Sequence, residues 1–197
     1  MAAHARWALI PRLQVFTGPM WSGKTRELVA ATRATLVAGP RALAPAPGVA
    51  DRAAAAVASA AAARGTPSAA ATYDSAVYVK HSLDTRLSVS AITSRCGLQL
   101  APAVPVASMA EVAVAPRTLI AVDEAQFMGD DLLEFAERLV FDEELQDTAL
   151  LVGGLDLDYA GRPFGSVLAL AAWVQEQAAA GVVSTAVHRL QARGTPR

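Results

Sequence analysis

The chain has 197 residues, a formal net charge of −1 and one cysteine. This length suits one ordinary domain, and the near-zero charge supplies no basic field that would attract nucleic acid or an anionic membrane. The single cysteine, Cys96, excludes an intramolecular disulfide, and no stretch approaches the roughly 18 to 20 bulky apolar residues of a membrane span. We therefore expect a cytoplasmic protein that binds neither nucleic acid nor a membrane.

The N-terminal part of the chain predicts a strand followed directly by a helix. The apolar segment from Leu13 to Phe16 has the composition of a buried strand. Residues from Lys24 to Val37 place apolar side chains at helical spacing, and Gly39-Pro40 ends that pattern. A short glycine-containing loop connects the two elements.

Residues 40–71 differ from the rest of the sequence. They consist mostly of Ala, Pro, Gly, Arg and Ser and contain no aromatic side chain. Alanine favours helices but buries too little surface to anchor a core element. This composition predicts an insertion that is disordered or weakly helical, with a partner-binding segment as the alternative.

The second half of the chain alternates strands with helices. Four apolar segments read as strands: Ala76 to Val79, Thr118 to Val122, Ala149 to Val152 and Val182 to Val187. Two segments read as helices, Leu132 to Val140 and Val167 to Gln177. The alternation predicts an α/β fold in which a parallel sheet carries helices on both faces. Residues 1–39 and 72–190 would form this domain, with residues 191–197 as a tail.

A glycine-rich loop between the first strand and helix matches the phosphate-binding pattern GxxxxGK[ST] completely. Its residues are Gly18, Pro19, Met20, Trp21, Ser22, Gly23, Lys24 and Thr25. The glycines allow successive backbone N–H groups to approach phosphate oxygens, and the lysine neutralises the β- and γ-phosphates. The Thr25 hydroxyl is suited to Mg²⁺, and the start of the helix adds its positive dipole end. We therefore predict a P-loop that binds a nucleoside triphosphate.

Two carboxylates follow the apolar strand Thr118 to Val122. Ligands of parallel α/β sheets bind outside the carboxyl ends of the strands, where Asp123 and Glu124 lie. Asp123 is a candidate to hold Mg²⁺, and Glu124 is a candidate general base. The same pair would also serve an ATPase, in which the glutamate activates water, so these residues do not separate a kinase from an ATPase.

Further motifs resemble those of the cellular, zinc-containing thymidine kinases. The sequence contains, in order, GPMWSGKTREL, KHSLDTRLS, VDEAQFM and GLDLDYAGRPFGS. The family reads approximately GPMFSGKSTEL, YAKDTRYS, IDEAQFF and GLDGDFRRKPFG at these points. The resemblance covers about Leu13 to His188 and implies a RecA-like P-loop NTPase fold. It also implies transfer of the ATP γ-phosphoryl group to the 5′-hydroxyl of thymidine, and a homotetramer.

The resemblance also implies roles for individual residues. Lys24 and Thr25 would hold phosphates and Mg²⁺, Asp123 the metal, and Glu124 the proton of the attacking hydroxyl. Arg86 would lie near the transferred phosphate and stabilise the charge of the transition state. An apolar and aromatic pocket for the thymine ring would be lined by Met20, Phe127, Leu155, Tyr159 and Phe164. Gln126 would orient the loop that contains it.

The sequence also departs from the family. Family members continue into a zinc-binding domain and a lasso loop that closes over thymidine, whereas here His188 occupies the position of the first zinc cysteine and no CxxC pair is present. We therefore expect no bound zinc and no lasso. The alternatives are a P-loop ATPase or nucleotide-binding regulatory module that has lost nucleoside binding, or a non-catalytic oligomer subunit that binds nucleotide.

Overall fold

The described residues form a main parallel sheet with helices on both of its faces. The computed structural model describes residues 11–36, 41–42 and 73–192. Within these ranges no helix combines the length and the apolar character that crossing a membrane requires. Because residues 43–72 are not among them, most of the predicted insertion at residues 40–71 lies outside the described residues. Arg41–Ala42, which the composition placed in that insertion, form a short strand, β2, that pairs with the strand Ser75–His81.

Seven strands build the main sheet. They are β1 (Leu13–Thr17), β2 (Arg41–Ala42), β3 (Ser75–His81), β6 (Ala103–Val106), β7 (Thr118–Asp123), β8 (Ala149–Gly154) and β9 (Thr185–Arg189). Their order is β2-β3-β7-β8-β1-β9, and β6 pairs with the second half of β3. All of these pairings are parallel. The carboxyl ends of β1, β3, β7 and β8 therefore lie at the same edge of the sheet.

The sheet separates two hydrophobic layers. One face packs α2 (Asp131–Phe141) and α3 (Val167–Ala179) against side chains such as Val15 and Ile120. The opposite face packs α1 (Lys24–Thr35) against side chains such as Phe16 and Leu151. Neighbouring residues of a strand point to opposite faces, and in β1, β3, β7 and β8 both sets are buried, which explains the continuous apolar runs in the sequence.

A small antiparallel hairpin lies on the α1 face. Its strands are β4 (Ile92–Thr93) and β5 (Gln99–Leu100), and its two apolar residues, Ile92 and Leu100, join the core that contains Leu28. Because each strand has only two residues, no alternation is long enough to reveal it in the sequence. This hairpin and β6 are the main elements that the sequence analysis did not predict.

The other elements agree with prediction apart from their ends. The α/β architecture with a parallel sheet is confirmed. The last strand begins at Thr185 rather than at the predicted Val182. Val182 and Val183 lie before it, and Val183 is buried in the core although it is outside the strand. Two adjacent β-branched side chains are typical of a strand, but only Val183 is buried, whereas Val182 is 49% exposed.

Candidate nucleotide-binding and catalytic site

A pocket opens where the parallel strands end. It has a volume of about 270 Å³ and is walled by the phosphate loop, the β4–β5 hairpin and the residues that follow β7 and β8. The lining residues are Met20, Trp21, Ser22, Gly23, Lys24, Thr25, Arg26, Arg86, Ser94, Arg95, Cys96, Glu124 and Leu155. Most of the predicted phosphate-binding residues and both predicted catalytic residues are therefore in one place.

The conformation of the phosphate loop depends on its glycines. Gly18 has φ +137°, and a Cβ there would lie 2.1 Å from the carbonyl oxygen of Leu190, the residue after β9. Gly23 has φ +89° and directly precedes α1. Leu190 also donates its N–H to the Thr17 carbonyl at 2.7 Å. The chain after β9 thus packs against the start of the loop, and only glycine allows that approach.

The Lys24 ammonium folds back onto its own loop. Its Nζ donates to the Pro19 carbonyl at 2.7 Å and lies 3.4 Å from the Ser22 hydroxyl. Burial lowers the pKa of Lys24, while the nearby carboxylates Glu124 and Asp123 act in the opposite direction. The cation therefore has no direct carboxylate partner among the described residues, which leaves it available to a phosphate.

Thr25 lines the pocket and contacts Asp123, the last residue of β7. The Thr25 hydroxyl donates to Asp123 Oδ1 at 3.2 Å. Asp123 is 6% exposed, and its burial, with the neighbouring Glu124 charge, raises the pKa of its carboxyl group to about 7. A buried carboxylate of this kind is stabilised by a cation, and hydroxyl and carboxylate oxygens are the ligands that Mg²⁺ prefers. The two residues therefore fit the metal role predicted for them.

Glu124 is held in an unusual backbone conformation. It has φ +53° and ψ +40°, a left-handed geometry that a residue with a side chain adopts only when its surroundings impose it. One carboxylate oxygen accepts a hydrogen bond from Arg86 Nη2, and the other accepts one from Gln126 Nε2. The amide oxygen of Gln126 in turn accepts the Leu155 N–H at 2.9 Å. Gln126 thus links the predicted base to the end of β8.

The Arg86 guanidinium belongs to a chain of alternating charges. Its Nε donates to Asp84 Oδ1 at 3.0 Å, and Asp84 Oδ2 lies 3.0 Å from the ammonium of Lys80. The Lys80 side chain is 2% exposed and also donates to the Ser88 carbonyl. Burial alone would raise the pKa of Asp84, but the hydrogen bonds from Arg86 and Lys80 lower it. The network orders the loop after β3 and directs Arg86 towards Glu124.

The predicted thymine-binding residues are in three different environments. Met20 and Leu155 line the pocket, and Met20 is 51% exposed. Phe127 and Phe164 meet edge to face with ring centroids 5.5 Å apart, and Phe127 also contacts His81 at 5.8 Å. This aromatic cluster lies outside the pocket lining. His81, which the sequence analysis did not select, is buried and accepts the Leu83 N–H on Nδ1.

Tyr159 is separated from all of these residues. It is 99% exposed at the tip of the loop after β8. Asp158 holds that loop together by accepting the N–H groups of Ala160 and Arg162 at 2.8 and 2.9 Å. The structure thus does not bring Tyr159 together with the other predicted thymine-binding residues.

Several residues of the site had no clear signal in the sequence. Arg95 and Cys96 come from the short hairpin, which the sequence analysis did not predict. Lys80 was not selected either, although a lysine directly after an apolar run was a usable signal, because a buried ammonium group requires an anionic partner. Within the described part of the chain, no group of three or more His, Cys, Asp and Glu side chains is arranged to hold a metal. The expectation that zinc is not bound remains a prediction.

Comparison with protein families agrees with this geometry. The family described as Thymidine kinase matches residues 58–184, which is more than half of the chain. The chain belongs to the thymidine kinase family. The matched range contains Arg86, Asp123 and Glu124 but does not include the phosphate loop, so the loop is separate support for nucleotide binding in this thymidine kinase family member.

Two relatives show how much of a thymidine kinase the chain represents. It is 28% identical over 166 residues to a thymidine kinase of Coprothermobacter proteolyticus, covering 83% of this chain and 64% of that protein. It is 27% identical over 155 residues to a thymidine kinase of Mycoplasma mobile, covering 78% of this chain and 58% of that protein. The match therefore spans about three fifths of the length of each of these curated relatives.

Proposed function

We propose that the protein transfers the γ-phosphoryl group of ATP to the 5′-hydroxyl of thymidine. The main support is that Lys24 of the phosphate loop shares one pocket with Arg86 and Glu124, in a chain of the thymidine kinase family. Phosphoryl transfer requires positioning and charge stabilisation more than covalent chemistry by the protein. The pocket supplies cations for the phosphates and a carboxylate for the attacking hydroxyl.

In this proposal Glu124 is the general base. Its carboxylate lines the pocket, but in the structure it forms an ion pair with Arg86. Arg86 is 56% exposed, so its guanidinium can turn towards a γ-phosphate at little cost in packing. That movement frees one oxygen of Glu124 to accept the 5′-hydroxyl proton, while Gln126 keeps the other in place. Donor binding would thereby prepare the base.

Asp123 and Thr25 would hold Mg²⁺ beside the phosphates. When bound, the ion neutralises charge on the β- and γ-phosphate oxygens. The Thr25 hydroxyl donates to Asp123, and this hydrogen bond keeps both groups in position. The exposed side chain of Met20 and that of Leu155 would contact the thymine ring within the pocket, and Phe127 and Phe164 would approach it from the adjacent loops.

The decisive test is a transfer assay with radiolabelled ATP and Mg²⁺. Wild type should form thymidine monophosphate, and deoxyuridine and an acceptor-free reaction serve as comparisons. Glu124→Gln should lower the transfer rate about 10²- to 10⁴-fold, as expected for loss of a general base, and should retain ATP affinity. Glu134→Gln, at an exposed position on α2, is the matched control and should leave the rate unchanged.

The same assay separates the kinase from the ATPase alternative. If wild type releases inorganic phosphate at one rate with and without thymidine, and no thymidine monophosphate forms, the proposed transfer is wrong. Asp123→Asn provides a second distinction. It should weaken binding of Mg²⁺ and ATP together, whereas Glu124→Gln should affect only the transfer step.

We further propose, from the family resemblance, a homotetramer that acts in cytoplasmic nucleoside salvage. Light scattering on the purified protein at several concentrations tests the assembly. A molecular mass equal to that of one chain at every concentration would contradict the tetramer. It would not bear on the transfer reaction, which the transfer assay tests separately.

A further inference from the structure

The tip of the β4–β5 hairpin brings an additional cation to the pocket. Ser94, Arg95 and Cys96 line the pocket together with the phosphate loop. None of them belongs to the motifs that identify the phosphate loop or the carboxylate pair. A guanidinium facing a phosphate-binding loop therefore needs its own explanation.

The hairpin holds Arg95 in a defined place. The buried Ser94 hydroxyl donates to the Leu98 carbonyl at 3.1 Å and accepts the Leu98 N–H at 2.9 Å, which closes the turn. Arg33 of α1 donates to the Gln99 carbonyl at 2.8 Å. The base of the hairpin thus packs on the helix that begins at the phosphate loop, and its tip has a fixed position relative to that loop.

The Arg95 guanidinium lies against Trp21. Its central carbon is 3.4 Å from the centroid of the indole ring. Trp21 is 67% exposed and has φ +70°, a conformation imposed by the phosphate loop. The loop therefore presents the ring to the hairpin. A guanidinium stacked in this way keeps its N–H groups, which radiate in its own plane, free for hydrogen bonds.

Arg95 differs from the other arginines of the pocket. Arg26 forms an ion pair with Glu27, and Arg86 forms ion pairs with Asp84 and Glu124. In the part of the chain that the structure describes, Arg95 has no carboxylate within ion-pair distance. Its guanidinium contacts the ring of Trp21 instead. A charged group oriented by stacking but without a counter-ion, in a pocket built for phosphates, is suited to an anionic ligand.

We propose that Arg95 binds the triphosphate of the nucleotide donor and that Trp21 orients its guanidinium. The inference depends on the proposed function only in that the ligand of the pocket is a nucleoside triphosphate. It does not depend on which acceptor receives the phosphoryl group. Arg95 would add a cation to the groups that the phosphate loop supplies to the triphosphate in the same pocket.

Calorimetric titration without any acceptor tests this assignment. Mg²⁺ with ATP, ADP or AMP is titrated into wild type, Arg95→Gln and Arg95→Lys. Arg95→Gln should weaken ATP binding about 10- to 100-fold, the effect of one charge-assisted hydrogen bond, and should weaken AMP binding least. Its affinity should also fall less steeply with salt, because one cation is removed. Arg95→Lys should restore part of the affinity, and Trp21→Leu should lose part of it.

Arg138→Gln is the matched control. Arg138 also lies over an aromatic ring, that of Phe135, with 5.3 Å between the guanidinium carbon and the centroid, but it is on α2 outside the pocket. It should not change ATP affinity. Unchanged affinity and salt dependence in Arg95→Gln would overturn the proposal, and so would an equal loss for ATP, ADP and AMP. If wild type binds ATP but transfers nothing to thymidine, the proposed function fails while a selective effect of Arg95→Gln still supports this inference.

Discussion

The hydroxyl of Thr25 and the carboxylate of Asp123 are joined by a hydrogen bond of 3.2 Å across 98 positions of the sequence. One residue belongs to the first turn of α1, and the other ends β7. This contact joins the phosphate loop and the predicted metal carboxylate into a single unit.

Lys24→Met should abolish most ATP binding and leave the fold intact. The Nζ of Lys24 bonds to the Pro19 carbonyl within its own loop, so removing it breaks no contact with the core. Loss of a charge-assisted contact to phosphate corresponds to about a 10- to 100-fold loss of affinity. Calorimetry measures the affinity, and thermal unfolding should give a melting temperature near that of wild type. Unchanged ATP affinity would contradict the phosphate-loop assignment.

Unlike Lys24→Met, the Lys80→Met variant should lose stability. The chain contains no lysine other than Lys24 and Lys80, and the Lys80 side chain is 2% exposed beside Asp84. Removing one partner of a buried ion pair typically costs about 3 kcal/mol or more in unfolding free energy. Urea unfolding should therefore detect a large loss of stability, which Lys80→Arg should partly prevent. Equal stability of wild type and Lys80→Met would show that the pair does not order this loop.

Much of the fold could be predicted from the sequence because β7 and β8 are buried on both faces and read as unbroken apolar runs. The phosphate loop was predictable because its pattern is local. The position of Arg95 was not, since it depends on two-residue strands and on the packing of the hairpin against α1. The burial of Lys80 likewise follows from its place between β6 and β7, a relationship of the sheet and not of neighbouring residues.

The charge of Asp84 should contribute to stability in a pH-dependent way. Its hydrogen bonds with Arg86 and Lys80 hold its pKa below the usual value of 3.8. The ionised group therefore stabilises the folded state above about pH 4, and this contribution is lost as the pH falls through the lowered pKa. The difference in unfolding free energy between wild type and Asp84→Asn should be constant from about pH 6 to 8 and shrink below about pH 4. A difference that stays the same at about pH 3 would contradict this role.

Gln126→Leu should reduce both stability and the transfer rate. Gln126 is 3% exposed, and its amide joins Glu124 to the Leu155 N–H. Leucine has a similar size but leaves that partly buried N–H without its acceptor, and the loss of such a partner costs about 1 to 3 kcal/mol. Denaturant unfolding measures the loss. Gln14→Leu is a matched control in β1, where the amide makes one long contact of 3.4 Å, and it should cost less. Equal losses of unfolding free energy in Gln126→Leu and Gln14→Leu would mean that the link to Glu124 contributes nothing to stability.

Gly165→Ala should disturb the site more than Gly161→Ala. Both glycines have positive φ, +60° and +74°, so alanine is strained at either position. A Cβ at Gly165 would lie 2.2 Å from the Gln126 carbonyl oxygen, whereas nothing lies within 4 Å of a Cβ at Gly161. The difference between the two variants in unfolding free energy and transfer rate therefore measures the clash alone. Equal losses would show that the Gly165 loop moves freely away from Gln126.

The position of β1 in the sheet has a consequence for synthesis of the protein. Leu13 lies opposite Leu150 on one side and Thr185 on the other, so the strand that leads into the phosphate loop pairs only with β8 and β9. Contacts between residues so distant in sequence close large chain loops and form slowly. As the polypeptide leaves the ribosome, β1 emerges before β8 and β9 and remains unpaired until both of these strands have emerged. The capacity to bind nucleotide should therefore appear late in biosynthesis, and incomplete chains should lack it.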